Sequence, residues 1–162
     1  MTDKAQLEEK MWKAIEDDRT VMLGLDGKSD GHAQPMTVQF DGPAMRGPLY
    51  IFTAKDTDLV QELGGHGPAS IHFVAKNHGL FACLQGMLTA DNDRETIDRL
   101  WNRFVAAWFE GGRDDPKLQL LRFEPHHAQI WENENSLFAG VKIMLGSDPK
   151  EDYKDKVADV RM

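Results

Sequence analysis

The sequence predicts an antiparallel α+β barrel, because strand-like segments joined by turns are more frequent than helical ones. Its first half contains five β-rich segments, and the first two flank a turn rich in Gly and Asp at residues 26–31. One helical pattern precedes these segments, a short one is inserted among them, and a long one follows. Strands and helices therefore lack the regular alternation that is typical of a doubly wound parallel sheet.

The first element is predicted to be an amphipathic helix. Apolar residues recur at helical spacing from Leu7 to Ile15, and Thr2 or Asp3 can cap the start of the helix. The pattern ends near Asp17–Asp18. The five strands that we predict after this helix lie at residues 20–25, 32–40, 49–53, 69–75 and 80–90.

Glycines mark the ends and the irregularities of these elements. A short helix is predicted at residues 56–63, and Gly64 and Gly65 end it because glycine tolerates left-handed backbone geometry. Gly86 lies inside the fifth strand. A glycine at such a position indicates a bulge or the close approach of a neighbouring backbone.

The second half of the chain begins with the clearest helical pattern. Asn92 can cap this helix, with Glu95 three residues later, and an apolar stripe runs from Ile97 to Trp108. We therefore predict one long helix that ends at Gly111-Gly112.

The C-terminal part predicts further strands and a tail. Strand-like segments at residues 118–124 and 128–132 are interrupted by Pro125, because proline cannot donate a hydrogen bond to a ladder. Residues 136–145 favour a last strand or helix. The charged residues after them are expected to be weakly ordered. The predicted division is therefore a domain at residues 1–146 and a tail at residues 147–162.

Length and charge limit the classes of protein to which the chain can belong. With 162 residues, it has the size of one domain. Its formal net charge of −8 disfavours non-specific binding to nucleic acid or to anionic lipid, because both need a basic surface. No apolar stretch approaches the ~20 residues of a membrane span, and the N-terminus lacks a signal-peptide core. We therefore expect a soluble cytoplasmic protein.

Several kinds of active site find no support in the sequence. The single cysteine, Cys83, lies in an apolar run and is expected to be a buried, inert thiol. The adjacent His126 and His127 would face opposite sides of a strand, and no HExxH motif is present, so a metal site is not predicted. Nucleophile-elbow, P-loop and dinucleotide-binding motifs are also missing.

A set of short motifs nevertheless points to a known family. The motifs are Gln34-Pro35-Met36-Thr37, residues 49–53, Leu84-Gln85-Gly86, Leu100-Trp101, residues 107–116, residues 120–125 and Ala128-Gln129-Ile130-Trp131. The stretch from Trp108-Phe109 to Asp114-Asp115-Pro116 is the most specific of them. Over about residues 5–145, this combination resembles the general-stress-protein branch of the pyridoxamine 5′-phosphate oxidase-like family, the FMN-binding split barrels.

The resemblance implies a fold, an assembly and a cofactor. The fold would be a six-stranded split barrel with flanking helices, and two subunits would form a homodimer with FMN in the groove between them. The second strand would lie along the flavin ring, the end of the third strand would meet the phosphate, and parts of later strands would face the partner subunit. The implied cofactor site consists of Gln34, Pro35, Met36, Thr37, Phe52, Thr53, Lys55, Leu59, Phe81, Gln85 and Trp131.

The phosphate end of this implied site departs from the family pattern. Gln34 and Leu59 stand where the family usually has Arg and Lys, which are the cations expected at the FMN phosphate. Losing one such charge-assisted hydrogen bond costs about 1.5–3 kcal/mol. Asp56 and Asp58 would also repel a phosphate dianion. We hypothesise that Lys55 replaces the missing cation.

The function implied by the resemblance is that of a flavin-dependent oxidoreductase that exchanges electrons with an unknown small molecule, for which NAD(P)H is a candidate. A true pyridoxamine phosphate oxidase is not expected, because the Arg-Leu-His-Asp-Arg substrate signature is missing after Trp131. No catalytic residue is assigned, and the choice between FMN and a deazaflavin stays open. Two alternatives also stay open: a non-enzymatic flavin-binding or stress-response module with weakened or lost FMN binding, and a barrel with an empty cleft that acts through protein contacts.

Overall fold

The structure is a computed structural model, which describes residues 3–28, 32–43, 47–133, 144, 146 and 157–162. A mostly antiparallel sheet is curled into a half-barrel and carries a few helices, which confirms the predicted antiparallel α+β barrel. The helices are α1 (Lys4–Asp18), α2 (Asp58–Leu63), α3 (Arg94–Leu100) and α4 (Arg103–Ala106). The strands are β1 (Thr20–Leu25), β2 (Gln34–Thr37), β3 (Gln39–Phe40), β4 (Leu49–Ala54), β5 (His66–Val74), β6 (Leu80–Ala90), β7 (Leu118–Glu132) and β8 (Val157–Arg161).

The long strand β7 connects the two parts of the sheet. On one edge it pairs with β6 along nearly its whole length. On its other edge, residues 118–123 pair with β4 and residues 127–131 pair with β8, so that β4 and β8 share this edge. The sheet continues in the order β2-β1-β5-β6-β7-β4-β3. In the described residues β2 therefore forms one end of the sheet.

Alternation along the strands separates a buried inner face from an outward face. In β1, for example, Val21 and Leu23 are buried, whereas Thr20 and Met22 are exposed. Helix α1 packs against β6, β7 and β8 with its apolar side. The largest fully buried side chains of this main core include Leu7, Met11, Ile15, Leu23, Ile51, Ile71, Phe73, Leu84, Leu88 and Phe123.

A second, smaller apolar cluster lies under α3 and α4. Its buried members are Ile97, Val105 and Phe109 from the helical region and Leu118 and Leu120 from β7. The partly buried side chains that pack against this cluster are Tyr50, Phe52 and Trp101.

The predicted long helix is wrong as a single element, because the chain breaks it between α3 and α4. Trp101 has extended backbone dihedrals (φ −62°, ψ 132°). The side-chain oxygen of Asn102 then accepts hydrogen bonds from the backbone N–H groups of Phe104 (2.9 Å) and Val105 (3.0 Å). Such an N-cap starts a new helix. The capping hydrogen bonds of Asn102 therefore divide the region into two helices, although the apolar stripe fits one continuous helix.

The start of the predicted helix also differs from the structure. Asp93, and not Asn92, is the N-cap of α3. Asn92 instead holds β7: its amide donates to the carbonyl oxygen of Leu118 (2.9 Å), and its side-chain oxygen accepts from the backbone N–H of Leu120 (2.6 Å). The side chain of Asn92 therefore fixes the junction between β6 and β7.

Two predicted strand boundaries need correction. The strand predicted at residues 32–40 is divided at Val38, whose backbone N–H donates to the carbonyl oxygen of Arg19 (2.8 Å). The segments predicted on either side of Pro125 form one strand, β7. Pro125 fits because it lies at a bulge, where the register shifts between Gln85 and Gly86. The bulge predicted at Gly86 is confirmed.

The C-terminal predictions fall partly on described residues. The element predicted at residues 136–145, apart from Met144, lies outside the described residues, as do all of residues 147–156. The prediction of weak order was wrong for Val157–Arg161, because this segment forms β8. Ala158 and Val160 are buried and alternate with exposed Asp159 and Arg161, which is the pattern of a half-buried strand. In the described part of the chain, no helix is long and apolar enough to cross a membrane.

Replacing Asp93 with alanine is expected to lower the melting temperature at pH 7. The Thr96 side-chain and backbone donors hold the pKa of the Asp93 carboxyl below its ordinary value of 3.8. A carboxyl with a lowered pKa in the folded state stabilises that state above its ordinary pKa, and the contribution is lost as the pH falls through the lowered pKa. The difference in melting temperature between wild type and Asp93→Ala should therefore narrow at pH 3. Glu9→Ala, at an exposed position of α1, is the control. If Asp93→Ala lowers the melting temperature equally at both pH values, the stabilising role of the Asp93 carboxylate is contradicted.

Candidate functional site

The outward face of the sheet carries a row of apolar side chains. Val74, Phe81, Trp131 and Val157 are consecutive cross-strand partners on β5, β6, β7 and β8, and we call them the outward apolar row. Val74 is 49% exposed, and Met22 on β1 of the same face is 40% exposed. Contiguous apolar surface of this kind is typical of a binding site or of an interface between proteins.

Polar side chains lie farther along the same face, beyond the row of cross-strand partners that contains Cys83. Gln85 on β6 lies between Ser70 on β5 and His127 on β7. The Ser70 hydroxyl donates a hydrogen bond to Asp26 (2.8 Å), and His127 shares a hydrogen bond with Asp159 on β8. The face therefore combines a flat apolar surface with a few placed polar groups, which is the composition of most small-molecule sites.

Five of the predicted cofactor residues lie on the part of this outward face that α3 and α4 leave uncovered. Phe81 and Trp131 belong to the outward apolar row, and Gln85 lies four residues farther along β6 on the same face. Pro35 and Thr37 on β2 pair with outward residues of β1. The structure thus places these five residues on one surface, although they come from separate strands.

Gln34 and Met36 face the other side of β2. They are opposite the buried Leu23 and Val21 of β1. Gln34 borders a small cavity of about 100 Å³ between β2 and α2, and Leu59 lies in the same cavity wall. The cavity is lined by Leu25, Lys28, His32, Gln34, Asp58, Leu59 and Glu62. Sites that enclose a whole cofactor measure about 300–1,000 Å³, so this cavity holds at most a small group.

The charges around this cavity are mixed, with an excess of acid. Lys28 supplies a cation, and Asp58 and Glu62 supply two carboxylates from one face of α2, since residues four apart on a helix are neighbours. Within the described residues, none of these three side chains forms an ion pair with another side chain. The structure therefore places Gln34 and Leu59 together, but beside carboxylates and only one permanent cation.

Three other predicted residues do not line the cavity and do not belong to the outward apolar row. Phe52 packs edge-on against Trp101 in the second apolar cluster, with 6.0 Å between ring centroids. Thr53 is half-buried and neighbours Phe52 along β4, so its side chain points to the other face of the sheet. Lys55 is exposed after β4, and its backbone N–H donates to the carbonyl oxygen of Lys117 (2.7 Å). The structure does not bring these residues into one site.

Cys83 lies on the outward face and is half-buried, whereas the sequence predicted a buried thiol. It is the cross-strand partner of His72 on β5 and of Gln129 on β7. Burial, with a smaller contribution from Asp26, raises the pKa of the Cys83 thiol above its ordinary value. The group therefore stays protonated at neutral pH, and the thiol is a weak nucleophile.

Lys28, His32 and Glu62 at the cavity and His127 on the outward face were not predicted as members of a site. Lys28 and His32 flank the β1–β2 turn, and Glu62 follows Asp58 by one helical turn; only the i, i+4 spacing was visible in the sequence. His127 was considered only as a metal ligand. Its hydrogen-bond partner Asp159 lies in β8, a strand that the charged composition of the C-terminus concealed.

Comparisons with known proteins agree with this fold. The family model described as "Pyridoxamine 5'-phosphate oxidase like" matches residues 6–153. General stress protein 26 of Bacillus subtilis (strain 168) is 23% identical over 131 residues, which cover 79% of this chain and 90% of that protein.

Solved structures are similar over most of their length. A general stress FMN/FAD binding protein of Xanthomonas citri is 53% identical, with a TM-score of 0.76 over 82% of this chain and 92% of that one. A general stress protein 26 of Jannaschia sp. CCS1 is 34% identical, with a TM-score of 0.81 over 98% and 99%. These similarities confirm the predicted split-barrel fold. The chain therefore belongs to the pyridoxamine 5′-phosphate oxidase-like family, together with the general stress proteins related to it.

Proposed function

We propose that this chain is a flavin-binding protein that holds the flavin ring on its outward face. The observation that carries the proposal is the outward apolar row, in which the aromatic side chains of Phe81 and Trp131 are adjacent. A flat, mainly apolar ring is bound well by such side chains, and Gln85 supplies a polar group for its edge. The FMN/FAD binding described for the Xanthomonas citri protein supports the same ligand class.

The proposal includes a homodimer. Val74 and Met22 leave apolar surface open to solvent on the same face that carries the outward apolar row. A second copy would cover this surface, and its own row would form the opposite wall of a slot. The one cavity described above is too small for a flavin ring, so a site between two copies accounts better for the binding of the ring.

The two ends of FMN fit the residues of this chain unequally. The outward apolar row suits the ring, whereas the cavity at Gln34 and Leu59 does not suit the phosphate, because Asp58 and Glu62 outnumber Lys28 there. A bound flavin would supply hydride and electron transfer, and the chain would supply orientation and exclusion of water. The proposed redox partner is a small molecule, with NAD(P)H as the first to test.

The second candidate function is a non-enzymatic flavin-binding or stress-response module with weakened FMN binding. The observation that favours it is the same cavity, where Gln34 and Leu59 provide no cation and the carboxylates are in excess. Reduction separates the two functions. If NAD(P)H is added and the absorbance of the bound flavin bleaches as fast as an enzyme turns over, the oxidoreductase function is supported. A bound flavin that stays oxidised supports the module.

The proposed function is tested by flavin titration of the purified protein, followed by flavin fluorescence. We expect the fluorescence to be quenched on binding, because the ring would lie against Trp131. Replacing Trp131 with leucine should weaken binding at least about fivefold, since stacking of a heterocycle on an aromatic side chain contributes about 1–3 kcal/mol.

Trp108→Leu is the matched control, because Trp108 is 84% exposed after α4 and does not belong to the outward apolar row. It should leave the affinity unchanged. The proposed function is refuted if riboflavin, FMN and FAD all show neither fluorescence quenching nor a change in absorbance when the protein is added. Equal losses of affinity in the two tryptophan variants would remove the outward apolar row as the site of the ring.

A further inference from the structure

The turn between β5 and β6 carries a histidine in left-handed backbone conformation. His78 has a φ of 56°, in the region where Asn, Asp and His are the most frequent residues after glycine. Backbone atoms of His78 hold this turn. Its N–H donates to the carbonyl oxygen of Ala75 (2.8 Å), and its carbonyl oxygen accepts from the side-chain amide of Asn133 (3.2 Å). These two hydrogen bonds do not depend on the imidazole.

The imidazole of His78 lies parallel to the ring of Phe81. The two ring centroids are 6.3 Å apart, and the ring planes are inclined to each other by only 10°. Parallel rings at this separation are a favoured arrangement of aromatic pairs. Phe81 is the member of the outward apolar row that pairs with Trp131. The exposed side chain of a turn residue therefore contacts the aromatic pair that carries the proposed function.

A stacked neighbour restricts the motion of Phe81 before any ligand arrives. A half-buried phenylalanine on an open sheet face can turn about its side-chain torsions, and a flat ligand that lies against it must fix them. Ordering a side chain at the moment of binding lowers the affinity, whereas a side chain that is ordered in the free protein avoids this loss. The stack with His78 gives Phe81 this order in advance.

We propose that His78 is a positioning residue, which acts through Phe81 to keep the aromatic surface of the outward apolar row in the orientation that receives the flavin ring. This inference rests on the proposed flavin site and deepens it, because it assigns a role to a turn residue that lies outside the family motifs. The role belongs to the imidazole alone, since the backbone of His78 already holds the turn.

Proton NMR of the flavin-free protein tests the stack itself. A ring proton near the face of another aromatic ring resonates upfield of its ordinary position. The imidazole resonances of His78 should therefore move downfield in Phe81→Leu, whereas those of His66, at the opposite end of β5 from Val74, should stay in place. Unchanged His78 resonances would refute the inference without any flavin in the sample.

His78→Asn tests the role in binding, because asparagine tolerates the left-handed backbone and lacks an aromatic ring. We expect flavin affinity to fall about two- to tenfold, as the loss of one pre-ordered side chain would give. The melting temperature should stay the same or rise. His66→Asn is the matched control, since it removes another exposed histidine from the far end of β5. It should leave the affinity unchanged.

His78→Tyr is the rescue variant, because it restores an aromatic ring but fits the left-handed backbone less well than asparagine. It should melt below His78→Asn, yet its flavin affinity should lie within about twofold of the wild type. The two variants would then rank in opposite orders by stability and by affinity. A histidine that served only the structure of the turn would not produce this reversal.

The outcomes separate this inference from the proposed function. All titrations are made at a temperature at which circular dichroism shows each variant to be folded. If His78→Asn binds flavin as tightly as the wild type, or if His78→Tyr loses as much affinity as His78→Asn, the positioning role is refuted and the flavin site stands. If the wild type binds none of riboflavin, FMN and FAD, the proposed function fails and the positioning role fails with it.

Discussion

Replacing Gly86 with alanine should destabilise the protein by at least about 3 kcal/mol, the largest effect that we expect from any single methyl group added to the described sheet. A Cβ atom on Gly86 would lie 2.1 Å from the carbonyl oxygen of Glu124 and 2.9 Å from the Cα of Pro125. Both are backbone atoms of β7, so no flexible side chain can move aside. The bulge itself would have to open.

Thermal unfolding followed by circular dichroism measures this effect. For a domain of this size we expect the melting temperature to fall by about 10 °C, because 1 kcal/mol corresponds to about 2–4 °C. Gly67→Ala in β5 is the matched control, since its Cβ would meet only the Leu63 side chain at 3.6 Å, an ordinary contact. Equal melting temperatures of Gly86→Ala and Gly67→Ala would show that the backbone of β7 adjusts at the bulge without a large energetic cost.

The same bulge explains what the sequence could and could not predict about the strands. Gly86 was identifiable, because an isolated glycine within a strand pattern has few structural explanations. Its consequence for Pro125 was not identifiable. A proline is expected to interrupt a ladder, and only the pairing with Gly86, far away in the chain, shows that Pro125 falls at a shift in the register of the ladder.

The helical region was mispredicted for a related reason. Periodicity reports which side chains can share one face, and the stripe from Ile97 to Trp108 fits one helix. It does not report competition from a side chain such as Asn102, which caps a new helix instead of continuing the old one. Asn92 likewise has the residue type of a cap, but its hydrogen bonds to β7 depend on tertiary structure.

The candidate site was predictable by its residues rather than by its geometry. The motif on β2 identified positions 34–37 together, yet the alternation of a strand sends Pro35 and Thr37 to the outward face and Gln34 to the cavity. Phe52 belongs to a family motif as well, but its side chain packs against Trp101 in the second apolar cluster. A sequence motif therefore names the strands of a site more reliably than it assigns the role of each side chain.

Replacing Val74 with glutamate should abolish the proposed dimer and, with it, the binding of the flavin ring. Val74 is the cross-strand partner of Phe81 in the outward apolar row and is 49% exposed, so the substitution leaves the core of the subunit intact. A two-fold interface receives each substitution twice. Burying two uncompensated carboxylates costs several kcal/mol, and we expect the dimer dissociation constant to rise at least about 100-fold.

Sedimentation of Val74→Glu at micromolar concentration should therefore give the mass of one chain, and flavin titration of the same sample should show no quenching. Phe104→Glu is the matched control, because Phe104 is an apolar residue on α4 that is 70% exposed and does not belong to the outward apolar row. It should sediment and bind flavin as the wild type does. If Val74→Glu is still a dimer, the interface does not include the outward apolar row. If it is a monomer with full flavin affinity, a single subunit holds the ring without a partner.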